Sequence, residues 1–386
     1  MRSMGEYLNY IERNRCVISG NNDLEHLHTI ENFPVYIGCT EQDPKEDIFA
    51  DMEWHISKSS GAIQLKKLLP LEIIYPGYHS EAVGQVWDEH HRVLSEFISK
   101  NINSKKILEM GGSNGKLAEI TTKNLDVMWE IIEPNPDPSY IPSSNKIKVD
   151  SAFIEDKIKN LKNIETFVHS HVLEHLYNPI DVLKEISSKQ KNGNRMIFSV
   201  PNLLHYLQNK YANSINFEHT YFLTDELVVC ILNSLGYKII DKYFFKDHSI
   251  FYSAEKSFTQ KPLNLRKELY SDYKSLYLEM INFFHLEAEK INKEVSGFEG
   301  SVFLFGAHIF SQFLLHNGLR ENKFEGILDN SKFKQGKRLY GTNLNVFDPS
   351  IVKDAHKVMA VVKAGQYQSE VEEQLLELNS EINILR

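Results

Sequence analysis

The stretch "ILEMGGSNGKLAEI", Ile107 to Ile120, decides the fold. A short apolar run ends in three glycines and passes into residues with helical spacing. That is a strand, a tight turn and a helix, the unit from which α/β sheets are built. Glycines at such a turn let the backbone approach a ligand closely. A phosphate loop needs G-x-x-x-x-G-K-[ST], but Met110 stands where the first glycine belongs and Leu117 replaces the hydroxyl residue. A dinucleotide loop needs G-x-G-x-x-G; counted from Gly111, Ser113 and Lys116 occupy the later glycine positions.

The surrounding chain repeats the strand–helix alternation. Strands are expected in "KKILEM", "VMWEIIE", "KIKVD", "IETFVHSHVL" and "NRMIFSVPN", with amphipathic helices in "VWDEHHRVLSEFISKNI", "GKLAEITTKNL" and "NPIDVLKEISSKQKNGN". This predicts a Rossmann-like parallel sheet with helices on both faces. The expected organisation is a small N-terminal domain over 1–66, the ligand-binding α/β domain over 67–255, a helical linker over 256–296 and a smaller C-terminal α/β domain over 297–386.

The spacing that remains is acidic-x-G-x-x-x-G: Glu109, Gly111 and Gly115, with Gly112 and Ser113 between them. It resembles the first motif of class I S-adenosylmethionine-dependent methyltransferases. An acidic residue suits a cofactor carrying an ammonium and a sulfonium. Glu133 ends the second strand, where a carboxylate accepts from a ribose diol, and Asp150 ends the third, on the expected adenine side. "SHVLEHLYNP", with His171 and His175, resembles the segment between cofactor and acceptor pockets, and the resemblance implies His171 as a cofactor contact.

Further segments resemble a narrower family, the methyltransferases of nucleotide-linked deoxysugars, including C-3 methyltransferases. They are "YPGYHSEAVGQVWDEH", "LEHLYNP", "NFEHTYF" and the C-terminal "VFLFGAH…GILDNSKFKQGKRLYGT". The resemblance implies a nucleotide-sugar substrate, His219 as general base with Glu218 orienting it or acting in its place, and His175 and Tyr78 as further catalytic candidates. It also implies an N-terminal four-cysteine zinc module. Only Cys16 survives; Ser19, Ser57 and Ser60 hold the other places, and a soft tetrahedral set is lost. A module of that shape without metal is expected. Asn216 stands where that family shows Tyr before x-Glu-His, which favours a sugar hydroxyl over a ring carbon as nucleophile, with C-methylation as the alternative. "HVLEH" also matches H-x-x-E-H, an inverted zinc-protease signature, but it directly follows a strand instead of lying inside a long helix.

Bulk properties bound the partners. The chain has 386 residues and a formal net charge of −9, which argues against a general nucleic-acid binder. No apolar stretch is long enough to span a membrane, no secretory leader is visible, and three scattered cysteines suit a reducing cytoplasm. The C-terminal domain is expected to close over the nucleotide or to make a homodimer contact. A catalytically silent scaffold subunit is the competing reading, against which the intact glycine loop and Glu133 speak.

Overall fold

The computed structural model describes residues 9–75, 85–137, 139–140, 142, 144–364 and 367–386. Its centre is a seven-stranded sheet: β1 (Lys106–Met110), β2 (Met128–Glu133), β3 (Ile147–Ser151), β4 (Thr166–Ser170), β5 (Arg195–Pro201), β6 (Tyr237–Phe245) and β7 (Ser249–Lys256). The spatial order is β6-β7-β5-β4-β1-β2-β3. Strands β1 to β5 run parallel, whereas β7 is antiparallel to both neighbours. The expectation of an all-parallel sheet is therefore corrected at one edge. Residues 237–256 form a hairpin whose turn is only three residues long, which fixes antiparallel pairing.

The parallel strands are apolar on both faces because helices cover both. Val168 and Ile197 face helix α1 (Gln85–Asn101) and α2 (Lys116–Asn124), in a cluster with Leu94, Ile98 and Leu117. Phe167, Met196 and Phe198 face the other side, with Leu183 and Ile186 of α3 (Pro179–Ser188) and Val228 and Ile231 of α4 (Asp225–Ser234). The reversal point lies between β1 and β4, where crossovers leave on opposite faces and a crevice opens at the carboxyl ends of the strands.

The N-terminal unit is a three-stranded antiparallel sheet (Leu24–Pro34, Phe49–Ser57, Ile63–Leu65). Fully buried Trp54 meets Phe222 at 5.2 Å and Tyr277 at 6.2 Å between ring centres. The four positions compared with a zinc module do gather: Cys16 Sγ lies 3.2 Å from Ser60 Oγ, the Ser60 N–H donates to Ser57 Oγ at 3.3 Å, and the Ser19 N–H donates to Cys16 Sγ at 3.4 Å.

The linker helix α5 spans Leu269–Ser296. It begins later than the expected 256, because Pro262 cannot donate to a helical ladder and excludes helix from the residue before it. Beyond it lies a parallel sheet of β8 (Ser301–Phe305), β9 (Gly326–Leu328), β10 (Val346–Phe347), β11 (Val358–Val362) and β12 (Asn383–Leu385), ordered β10-β9-β8-β11-β12. Buried Arg338 holds Asp47 through two hydrogen bonds of 2.6 and 2.7 Å, tying this sheet's loops to the N-terminal unit. Among the described residues, no helix is long and apolar enough to cross a membrane.

Candidate active site

The glycine loop leaves β1 as a backbone-only surface. Gly111 sits at φ +73°, and a Cβ there would come within 2.3 Å of Val172 Cγ2. Gly115 sits at φ +67°, and a Cβ there would come within 2.2 Å of the Tyr140 ring. Both positions require glycine on conformational and steric grounds. Ser113 takes φ +46° at the loop's tip. Its N–H donates to Glu133 Oε2 at 3.0 Å, and the Asn135 N–H donates to Glu133 Oε1 at 2.9 Å. Two lone pairs of that carboxylate are spoken for and two remain for a ligand's hydroxyls.

Glu109 is placed differently from the expectation. Only 2% exposed, it accepts from Trp129 Nε1 at 2.7 Å, and burial pushes its carboxyl up to about 8. A Cβ on Gly112 would lie 3.1 Å from its Oε2. Glu109 thus props the loop from below instead of presenting an open carboxylate to an ammonium. Asp150 is paired with Lys157 at 2.8 Å near the end of β3, opposite Ile132, while Glu133 faces Ser151. Tyr140 was not foreseen; the segment after β2 folds back and lays its ring on Gly115.

The segment after β4 is a single 3₁₀ turn, Leu173–His175, so His171 and His175 do not share a helix face as a zinc protease needs. Glu174 Oε1 lies between them, 3.6 Å from His171 Nδ1 and 3.9 Å from His175 Nε2. The glycine loop is touched by Val172, whereas His171 turns away, bonding Ser249 Oγ at 2.7 Å. The φ of +53° at His171 aims the ring toward α1 and β7.

His175, Glu218 and His219 do converge. His175 and His219 are edge to face with ring centres 5.0 Å apart, and Glu218 Oε2 lies 3.8 Å from His175 Nδ1. Burial holds the His219 imidazolium down to about 3, with Glu218 opposing the shift. His219 Nδ1 has no hydrogen-bond partner among the described residues. Tyr78 lies outside the described residues. Tyr75, three positions earlier, bonds His175 Nδ1 at 2.9 Å through its hydroxyl.

A buried arginine that sequence reasoning passed over locks these segments together. Arg13 donates to the Thr220 carbonyl at 2.9 Å and to the Tyr177 carbonyl at 2.7 Å. Thr220 in turn donates from its N–H to the Glu174 carbonyl at 3.0 Å, and Tyr221 Oη donates to the Leu173 carbonyl at 2.6 Å. No local motif marks Arg13, since its partners lie 164 and 207 residues away.

This sheet order, with a glycine loop after the first strand and a carboxylate closing the second, is the arrangement that the resemblance to class I methyltransferases implies. Comparison with known families agrees: residues 83–242 match the model of the methyltransferase-domain family. The match spans less than half of the chain, and S-adenosylmethionine is the cofactor that such a domain takes. Among solved structures, the chain is similar to a methyltransferase from Archaeoglobus fulgidus (17% identity, TM-score 0.36, 45% of this chain and 95% of that one). It is also similar to 1,6-didemethyltoxoflavin-N1-methyltransferase of Burkholderia thailandensis, solved with bound 1,6-didemethyltoxoflavin and S-adenosylhomocysteine (12%, TM-score 0.36, 45% and 81%). A third is the N-methyltransferase NodS of Bradyrhizobium japonicum (12%, TM-score 0.35, 45% and 97%). No curated protein matches the chain.

Proposed function

We propose that this chain methylates a hydroxyl group of a nucleotide-activated sugar, with His219 as general base. The observation that carries the reading is the pairing of His219, whose Nδ1 has no partner, with His175 beside the glycine loop. The cradle made by the loop from Gly111 to Gly115 with Glu133 fits S-adenosylmethionine, because the loop tip holds the Glu133 carboxylate through Ser113 N–H and leaves lone pairs for a ribose diol. Bound in that cradle, the cofactor supplies an electrophilic methyl on a sulfonium.

The chain's own residues do the rest. An acceptor hydroxyl must be held in line and lose one proton as the methyl arrives. His219 is neutral, so the Nδ1 lone pair is free, and Glu218, which opposes the effect of burial, is the group that raises its basicity. Glu218 stabilises the imidazolium that results, and Tyr75 fixes the ring of His175. Val172 joins the glycine loop to this segment, so donor and acceptor sides share one rim.

A hydroxyl is favoured over a carbon nucleophile by Asn216. It is 4% exposed and used inside its turn, accepting from the His219 N–H at 2.7 Å and donating to the Asn213 carbonyl at 3.0 Å. It offers no phenol to steady an enolate. The sugar class rests on the resemblance of "LEHLYNP", "NFEHTYF" and the C-terminal half. Mass spectrometry of nucleotide sugars incubated with the protein and S-adenosylmethionine tests it: a gain of one CH₂ on oxygen supports the reading, and a gain on carbon overturns the hydroxyl.

A further inference from the structure

The base candidates do not exhaust the imidazoles at this rim. His90 on α1, His171 after β4 and His248 in the β6–β7 turn come from segments 77 or more residues apart. Their ring centres form a near-equilateral triangle, 5.3 Å between His90 and His171, 5.4 Å between His171 and His248, and 5.7 Å between His90 and His248. Three imidazoles sharing one tetrahedral ion at about 2.1 Å place their ring centres roughly 5 Å apart. One nitrogen of each already lies within 4.8 Å of the others.

Two buried polar groups at this cluster have no hydrogen-bond partner among the described residues, His90 in the triangle itself and Glu174 beside it. The first is His90, 0% exposed, with Nδ1 and Nε2 both unpartnered. Its ring packs edge-on against Phe245 at 5.4 Å and Phe251 at 5.0 Å, and against Trp87 at 5.1 Å, whose indole also borders His171 and His248. The second is Glu174, also 0% exposed, with neither carboxylate oxygen bonded. Glu174 lies 3.6 Å from His171 Nδ1, on the far side of the ring from Ser249. Carboxylate, imidazole and metal in that sequence make the outer shell that orients metal-binding histidines. The Ser249 hydroxyl, 2.7 Å from His171 Nε2 and 2.5 Å from His248 Nδ1, supplies an oxygen at the focus of the rings.

We propose that His90, His171 and His248 bind one divalent transition-metal ion of the zinc type, with Glu174 as outer-shell partner of His171. Neutral imidazoles without thiolate suit zinc, and burial holds all three rings in that neutral form. The ion ties the second turn of α1 to the end of β4 and the start of β7, so it fixes the rim on which the methyltransferase site is built. The site is distinct from the Cys16 cluster and from His175 and His219.

The test uses the full chain, stripped with chelator, reloaded with zinc or cobalt(II) and dialysed. One equivalent of zinc is expected to remain, and cobalt should give the visible bands of a tetrahedral site with no thiolate charge-transfer band. His90→Phe, which keeps the packing on Phe245 and Phe251, and His248→Ala should each weaken zinc binding at least about tenfold. His175→Ala and His219→Ala should leave it unchanged. Melting curves of the metal-free proteins establish that the variants fold. The proposal is overturned if no zinc is retained, if His90→Phe and His248→Ala bind normally, if His175→Ala or His219→Ala abolishes binding, or if a thiolate band places the ion at Cys16.

Discussion

The backbone N–H of Ser113 donates to Glu133 Oε2 at 3.0 Å, so the tip of the glycine loop and the end of β2 are already held together. Sequence neighbours did not arrange this; residues 20 apart meet because parallel β1 and β2 deliver both to one end of the sheet. On the proposed reading, the same carboxylate accepts from the cofactor's ribose.

Replacing Glu133 by Ala removes both services. Loss of hydrogen bonds to a charged group costs about 1.5–3 kcal/mol, so S-adenosylhomocysteine should bind roughly ten- to a hundredfold more weakly. Isothermal calorimetry reads this directly, and an unaltered Kd would remove Glu133 from the cofactor site.

His219→Ala should leave S-adenosylhomocysteine affinity as it is and lower kcat by about 10²–10⁴, the usual contribution of a general base. Tyr75→Phe touches the base only through His175 and should cost no more than about tenfold in kcat. A His219→Ala enzyme with near-normal turnover would shift the role to Glu218 or His175.

Arg13→Ala leaves the Thr220 and Tyr177 carbonyls without their donor in a buried setting. Expected destabilisation is about 2–4 kcal/mol in urea unfolding, with kcat reduced as well because the strip carrying Glu218 and His219 loosens. Arg13→Lys, with one ammonium for two carbonyls, should recover only part of either. Full activity with lowered stability would restrict Arg13 to a structural part.

Stability should fall in acid. His169 and His219 are held below the ordinary 6.5 by burial, both to about 3. Below 6.5 the unfolded chain takes up protons that these buried rings do not, so stability rises with pH across that window. Glu109 acts oppositely. Its carboxyl is raised from 4.5 to about 8, so the fold holds a proton the unfolded chain has released, and its contribution declines between those values. Where the two arms overlap the rings outweigh the one carboxyl, so melting temperature should peak near 6.5, and Glu109→Gln should flatten the alkaline arm. A melting temperature indifferent to pH from 4.5 to 8 would contradict this assignment of buried neutral groups.

Features written into a short stretch of chain were legible in the sequence. The glycine loop, β1 to β5 and Glu133 follow from apolar runs, positive-φ turns and strand-end acids. The convergence of His175, Glu218 and His219 followed from resemblance. What was not legible depends on chain segments meeting from afar. Nothing near Glu109 marks Trp129 as its cover, and nothing near Tyr75 marks it as the partner of His175. The bond of His171 to Ser249 goes with a left-handed backbone at His171, a property no side-chain pattern encodes. The β6–β7 hairpin escaped notice because its outer strand is mixed in polarity, with exposed Ile240, Tyr243 and Phe244 beside lysines.

The most direct measurement is a transfer assay in which the protein, S-adenosylmethionine and a panel of nucleotide sugars are incubated and read by mass spectrometry with fragmentation. The account predicts one sugar gaining a single CH₂ on oxygen, a product missing when His219→Ala replaces the wild type. A protein that binds S-adenosylhomocysteine yet methylates no nucleotide sugar, or one that places the methyl on a ring carbon, would contradict it.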